Sequence, residues 1–215
     1  MTDRTGAMFH SGPLQLNAVY WSVQGEGVHT GRSALFVKMP FCNLKCAWCD
    51  TDFSTWTDWT EQLLAQVAMQ QVSRFAVLSG GEPTRHKHIW RVVSLLKGLG
   101  FTIAVESNGT CESEVIYALF DWVTISPKKD SERLGLPQYY ASKAALKMAH
   151  EFKYVMEKNF DVRVLNRHEI ADGRRYFVVP EAEDFLNTKT LVLAWVAENP
   201  TWRISLQTHH LMGAV

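Results

Sequence analysis

Three cysteines fall within eight residues: Cys42, Cys46 and Cys49, spaced C-x3-C-x2-C. Thiolate is the preferred protein ligand of iron–sulfur clusters. Three thiolates can hold three corners of a 4Fe–4S cube and leave one iron without a protein ligand. Such an iron can bind a small molecule and pass it an electron. Reductive cleavage of S-adenosylmethionine (SAM) into methionine and a carbon radical needs that arrangement. A cluster that only carries electrons normally has a fourth cysteine to close it. The spacing therefore points to radical chemistry.

A structural zinc site is the competing reading. It needs four protein ligands, and the fourth would come from one of eight histidines. None of them stands at a telltale spacing. A disulfide framework fits less well, because four cysteines in 215 residues are sparse and a tight cluster cannot staple distant segments. The remaining cysteine, Cys111, follows Asn108-Gly109-Thr110 and reads as a buried small apolar residue.

The elements that must position the cysteines alternate between strand and helix patterns. Leu16–Val23, Ala34–Met39, Arg74–Leu78, Phe101–Val105, Trp122–Ile125, Phe152–Met156, Tyr176–Val179 and Trp202–Leu206 read as strands. Helices are expected over Asp58–Val72, His86–Leu99, Glu112–Phe120, Ser142–Ala149 and Asp184–Glu198, with Asp58 as a cap and Gly100 as a stop. Residues 130–141 read as a loop. Repeated βα units imply a parallel sheet. The chain is short for an eight-fold barrel, which takes about 250 residues. An α/β fold, an incomplete TIM-type barrel of about six parallel strands, is expected as a single domain over 1–215.

Function in such folds gathers at the C-terminal strand ends, and polar or glycine-rich turns fall there. The cysteine loop follows Met39, Ser79-Gly80-Gly81-Glu82-Pro83 follows Leu78, and Glu106-Ser107-Asn108-Gly109 follows Val105. Ser126-Pro127-Lys128-Lys129 follows Ile125, and Gln207-Thr208-His209-His210 follows Leu206. Each alone is ordinary turn chemistry; with the cysteine loop they converge on one site. Gly80 and Gly81 bring bare backbone close to a ligand. Their carbonyls could accept from the amino group of SAM, with Glu82 nearby. Trp48 offers a flat face for adenine, or simply packs.

Net charge is formally zero and the pI is about 7.1, so nothing points to nucleic acid. No apolar run approaches the length of a membrane span. Met1–Gly6 lacks the charged-then-apolar pattern of an export signal, so a reducing cytoplasm is expected.

Cys42, Cys46 and Cys49, with an aromatic before the last cysteine, followed by Gly80-Gly81-Glu82-Pro83, resemble the radical SAM superfamily. Further segments are similar to its 7-carboxy-7-deazaguanine synthase family: Ser22–Gly27, Cys49–Phe53, Glu106–Gly109, Trp122–Lys128, Glu151–Lys153, Leu186–Lys189 and Trp202–His209. The resemblance implies ring contraction of 6-carboxy-5,6,7,8-tetrahydropterin to 7-carboxy-7-deazaguanine with loss of ammonia. It implies a 4Fe–4S cluster on Cys42, Cys46 and Cys49, SAM, and Mg²⁺ on Thr51. Trp48, Gly80, Gly81, Glu82, Ser126, Pro127 and Lys128 would bind SAM. Val23, Gln24, Gly25, Lys38, Ser79, His209 and Val215 would contact the pterin, with Lys38, Gln24, Glu26 and His209 acting on it. A homodimer reduced by flavodoxin or ferredoxin is implied as well. Two departures stand out. Lys38 occupies the place of an arginine and lacks its bidentate fork, with Arg32 the nearest alternative. Val179-Pro180-Glu181-Ala182 lacks a usual polar residue. A glycyl-radical activating enzyme and a zinc-binding α/β module stay open as alternatives.

Overall fold

A computed structural model describes residues 12–47, 49, 52, 54–167 and 174–214. In chain order its elements are β1 (Leu14–Leu16), β2 (Ala18–Val23), β3 (Ser33–Met39), β4 (Thr57–Trp59), α1 (Glu61–Ala68), β5 (Phe75–Gly80), α2 (Ile89–Gly98) and β6 (Thr102–Ser107). They continue with α3 (Glu114–Tyr117), β7 (Trp122–Ile125), α4 (Lys143–Met148), β8 (Glu151–Met156), β9 (Arg175–Pro180), α5 (Phe185–Glu198), β10 (Trp202–Ile204) and α6 (Thr208–Leu211).

The strand β3 shows how the sheet works. Leu35, Val37 and Met39 are fully buried on the face covered by helices. Phe36 and Lys38 alternate with them and face a cavity, as the two-residue side-chain period of a strand requires. Eight strands pair in the order β10-β9-β8-β7-β6-β5-β3-β2. Seven of them run parallel, and β2 joins β3 antiparallel. The expected partial barrel is thus an α/β sheet with one more parallel strand than anticipated. It is open, with β10 and β2 at its edges.

Several local expectations change. The strand read over Leu16–Val23 breaks at Asn17, whose side chain donates to the carbonyls of Asp52 (2.9 Å) and Thr55 (2.8 Å). Its first part instead pairs with β4 in a separate two-stranded ribbon. Asp58 lies within β4, so it does not cap the next helix. Thr60 does, accepting from Leu63 N at 3.1 Å, a contact worth about 1 kcal/mol. The helix α1 ends at Ala68, short of Val72, which is exposed. A short 3₁₀ turn over Pro83–Arg85 precedes α2, and Gly100 stops the chain with φ +82° as expected. Ser113 and Ser142 cap α3 and α4 through Ile116 N and Ala145 N. The loop read over 130–141 opens with a 3₁₀ turn, Lys129–Leu134. The short helix α6 had no signal in the pattern.

One loop closes the sheet from below. Residues Gln24–His29 leave β2 and run across the N-terminal ends of the parallel strands. The His29 ring lies 4.8 Å from that of Phe75, which starts β5, and 4.7 Å from that of Trp122, which starts β7. Val28 N donates to the carboxylate of Glu151, which starts β8, at 3.1 Å. The cavity therefore has a floor at this end and the cysteine loop at the other.

Candidate active site

The cavity holds about 430 Å³ and is lined from all the strand ends named above. That is within the range of small-molecule sites. Cys42, Cys46 and Cys49 line it, together with Val23, Gln24, Glu26, Lys38, Ser79, Gly80, Gly81, Ser126, Lys128 and His209. Trp48, Thr51 and Val215 lie outside the described residues. The turns that sequence places at separate strand ends thus meet around one space.

The cysteine loop is tied down by its neighbours. Gly81 N donates to Met39 O at 2.8 Å and Glu82 N to Phe41 O at 2.9 Å, zipping the Gly-Gly turn to the loop. A Cβ on Gly81 would lie 1.9 Å from Phe41 O, so only glycine permits this approach. Gly80 has φ +100° and its Cβ would meet the Met39 backbone at 2.6 Å. Lys45 N donates to Asp130 at 2.6 Å, and Asn43 donates to Thr110 at 2.9 Å. Cys42 Sγ accepts from Leu44 N at 3.4 Å and Asn108 Nδ2 at 3.8 Å.

This donor set fits an iron–sulfur cube. Burial pushes the Cys46 thiol up to about 11, against the pull of Lys128, and raises Cys42. Both thiols stay neutral until a metal displaces their protons. Among the described residues no three His, Cys, Asp or Glu side chains converge on a single ion. Thiolates on a cube each bind a different iron and need no such convergence.

Beyond β7, Lys128 donates to Ser126 Oγ at 2.7 Å. Burial, then the charge of Lys153, pulls Lys128 below the usual lysine range. Pro127 and Glu82 do not line the cavity. Glu82 is buried, and its carboxylate accepts from Thr84 N (3.1 Å), Ser107 Oγ (2.8 Å) and Asn108 N (2.6 Å). It braces the turns that shape the site.

Deeper in the cavity lies a charged layer. Lys153 Nζ donates to Glu26 Oε2 and, at 3.2 Å, to Glu106 Oε2. Gln24 Nε2 donates to Glu106 Oε1 at 2.9 Å, and Glu26 N donates back to Gln24 Oε1 at 3.2 Å. Burial opposes the charge on Lys153, but the two carboxylates outweigh it and hold the lysine well above its usual range. Burial likewise opposes the charge on Glu106; Lys153 and Gln24 overcome it and draw the carboxyl down.

On β3, Lys38 pairs in register with Ser79 of β5, and both face the cavity. Arg32 lies elsewhere: its guanidinium sits 3.9 Å above the Phe75 ring, at the floor. Gly25 packs against His209 and does not line the space itself. Val179–Ala182 line the wall.

The sequence profile of the radical SAM superfamily matches residues 36–159. The 7-carboxy-7-deazaguanine synthase of Haemophilus influenzae is 30% identical over 201 residues, 91% of each chain. That of Bacteroides thetaiotaomicron is 31% identical over 201 residues, 92% of this chain and 97% of its own. This chain belongs to the radical SAM superfamily and, within it, to the 7-carboxy-7-deazaguanine synthase family. The crystal structure of QueE from Escherichia coli superposes with a TM-score of 0.70 over 90% of this chain and 93% of its own. At 24% identity that likeness speaks for the fold alone.

In this member of the 7-carboxy-7-deazaguanine synthase family, two charged residues of the deep layer had no role assigned from sequence. Glu106 stands in the polar turn after Val105, and Lys153 only in a segment similar to the family. The available signal was a lysine inside a strand that otherwise reads as buried, since a charge is buried only when paired.

Proposed function

We propose that this chain contracts the ring of 6-carboxy-5,6,7,8-tetrahydropterin to 7-carboxy-7-deazaguanine with loss of ammonia, as a carbon–nitrogen lyase of queuosine and 7-deazapurine synthesis. The observation that carries this reading is the meeting of the three-cysteine loop and the layer of Gln24, Glu26, Glu106 and Lys153 in one cavity of about 430 Å³. Cys42, Cys46 and Cys49 hold a 4Fe–4S cluster which, with SAM, supplies a carbon radical. The bare backbone at Gly80 and Gly81 receives the amino-acid end of SAM, and Ser126 and Lys128 hold its other end, with Pro127 fixing the turn between them.

The pterin lies between that radical source and the charged layer. Lys38 places its ammonium against the substrate carboxylate, beside Ser79. Val23 packs on the ring, Gly25 holds His209 in position by packing against it, and Gln24 and His209 offer polar groups to the ring edges. Glu106 and Glu26 together keep Lys153 charged and in place, so the layer presents fixed dipoles to charge that moves during contraction. Thr51 carries Mg²⁺, a hard cation suited to a hydroxyl and a substrate carboxylate, and the terminal carboxylate of Val215 completes the enclosure. The chain acts as one domain over 1–215 and a homodimer, in the cytoplasm, reduced by flavodoxin or ferredoxin.

The test is anaerobic reconstitution with iron and sulfide, then incubation with SAM, dithionite and the carboxytetrahydropterin. Mass spectrometry should find the ring-contracted product with loss of ammonia. SAM cleavage with the pterin left intact would sink the substrate assignment. A colourless protein that takes up zinc and no iron would sink the radical one.

A further inference from the structure

We infer that Asn108 is a positioning residue that sets the reduction potential of the cluster through its side-chain N–H to Cys42. The inference rests on the reading that the three cysteines hold a 4Fe–4S cube. Asn108 is 6% exposed, and the orientation of its amide is fixed from both ends. Its Oδ1 accepts from Thr110 N at 3.0 Å and from Thr110 Oγ1 at 2.7 Å. With both donors on the oxygen, the nitrogen must face the other way. There it lies 3.8 Å from Cys42 Sγ, within reach of the larger sulfur atom, and 3.0 Å from Asn43 Oδ1. The backbone is held as firmly: Asn108 N donates to the buried Glu82 carboxylate at 2.6 Å.

An N–H aimed at a ligating sulfur stabilises the extra negative charge that arrives when a cluster is reduced. Hydrogen bonds to the sulfurs are one of the protein's levers on cluster potential. The amide carries no net charge, so its effect acts through that one bond. The step it modulates is the entry of one electron from an external low-potential reductant into the oxidised cube. Removing the donor makes the reduced cube less stable and lowers the potential.

The test uses the reconstituted full chain, titrated with dithionite and mediators while electron paramagnetic resonance follows the reduced cluster. Asn108→Ala removes the donor; Asn108→Leu removes it while keeping the side-chain shape, and neither adds a charge. Both should bind iron as the parent does. At a fixed potential near the parent midpoint, each should show about tenfold less reduced relative to oxidised cluster, a negative shift of about 59 mV for one electron. Thr110→Val serves as the control, because Thr110 N still holds Asn108 Oδ1, and its midpoint should match the parent. Unmoved midpoints in both Asn108 variants overturn the inference. So does an equal shift in Thr110→Val, which would assign the effect to the loop. Loss of iron from both Asn108 variants overturns it too, since Asn108 would then retain the cluster and not tune it. A parent that takes up no iron sinks the cluster reading itself; a parent with a full cluster and unmoved variants sinks this inference alone.

Discussion

Gly25 and His209 touch across 184 residues of chain: a Cβ on Gly25 would lie 1.9 Å from His209 Nδ1 and 2.8 Å from its backbone nitrogen. The contact is locked by Thr208, whose backbone N (3.1 Å) and Oγ1 (3.0 Å) both donate to Gly25 O. The C-terminal segment is thereby docked on the floor loop, and His209 faces the cavity from the gap between the two sheet edges.

Gly25→Ala should therefore displace His209. Rotating the imidazole cannot relieve the clash, because the backbone nitrogen is also too close for a methyl group. The expected result is a fall in kcat/KM of about tenfold or more, since a misplacement near 1 Å can cost about a hundredfold. Iron content and far-UV circular dichroism should match the parent. An alanine variant with parental kcat/KM would show that His209 has no part in the reaction.

The buried charges at Lys153 should behave as a coupled unit. Its side chain is 7% exposed, and that of Glu26 is 13% exposed. Lys153→Met leaves two carboxylates without their partner, and breaking a buried pair costs about 3–5 kcal/mol. Adding Glu106→Gln removes one of those stranded charges and should return part of the loss. Urea unfolding of the four proteins in the cycle measures this. Additive losses would mean that the two groups do not interact.

The parts of the site legible in the sequence are those written locally. The cysteine spacing, the Gly-Gly turn and the turns after Val105 and Ile125 announce themselves because strand ends demand special backbone chemistry. The charged layer was not legible in the same way. Whether Lys153 points inward depends on its register, opposite Phe177 of β9, which no local pattern carries. The path of Gln24–His29 across the strand starts is set by contacts with Phe75, Trp122 and Glu151, each tens of residues away. The strand expected over Leu16–Val23 failed at Asn17 for a similar reason: the break is made by carbonyls of Asp52 and Thr55. The four-residue α6 is too short to show a period.

Acid sensitivity should trace in part to His86. It is buried, its Nε2 has no hydrogen-bond partner among the described residues, and burial, followed by the charges of His88 and Lys87, pushes its pKa from 6.5 down to about 4. The unfolded chain takes up the proton below 6.5 while the folded one resists until about 4. Stability is thus present above that window and falls as pH drops through it. His86→Asn keeps an acceptor for His88 N, now made by His86 Nδ1 at 3.3 Å, but has nothing to titrate. In cluster-free protein the slope of unfolding free energy against pH, between about 4 and 6.5, should fall by up to about 1.4 kcal/mol per pH unit. An unchanged slope would place the titration on other groups, His29 first, whose pKa burial also lowers to about 4.

Lys38 should bind the carboxylate of the pterin. It faces the cavity beside Ser79, in register across β3 and β5, whereas Arg32 stacks on Phe75 at the floor. Lysine offers a point charge where arginine would offer a planar fork, so its hold depends on charge more than on geometry. Lys38→Met keeps most of the chain length and removes the ammonium. A charge-assisted hydrogen bond contributes about 1.5–3 kcal/mol, which corresponds to a rise in KM of about ten- to hundredfold. SAM cleavage should change little, because Lys38 is assigned to the pterin and not to the cluster. A tetrahydropterin without its 6-carboxylate separates the role from mere packing: parent and variant should bind it equally weakly. If Lys38→Met weakens that analogue as much as the substrate, the lysine contacts the ring, and the carboxylate is held by another group.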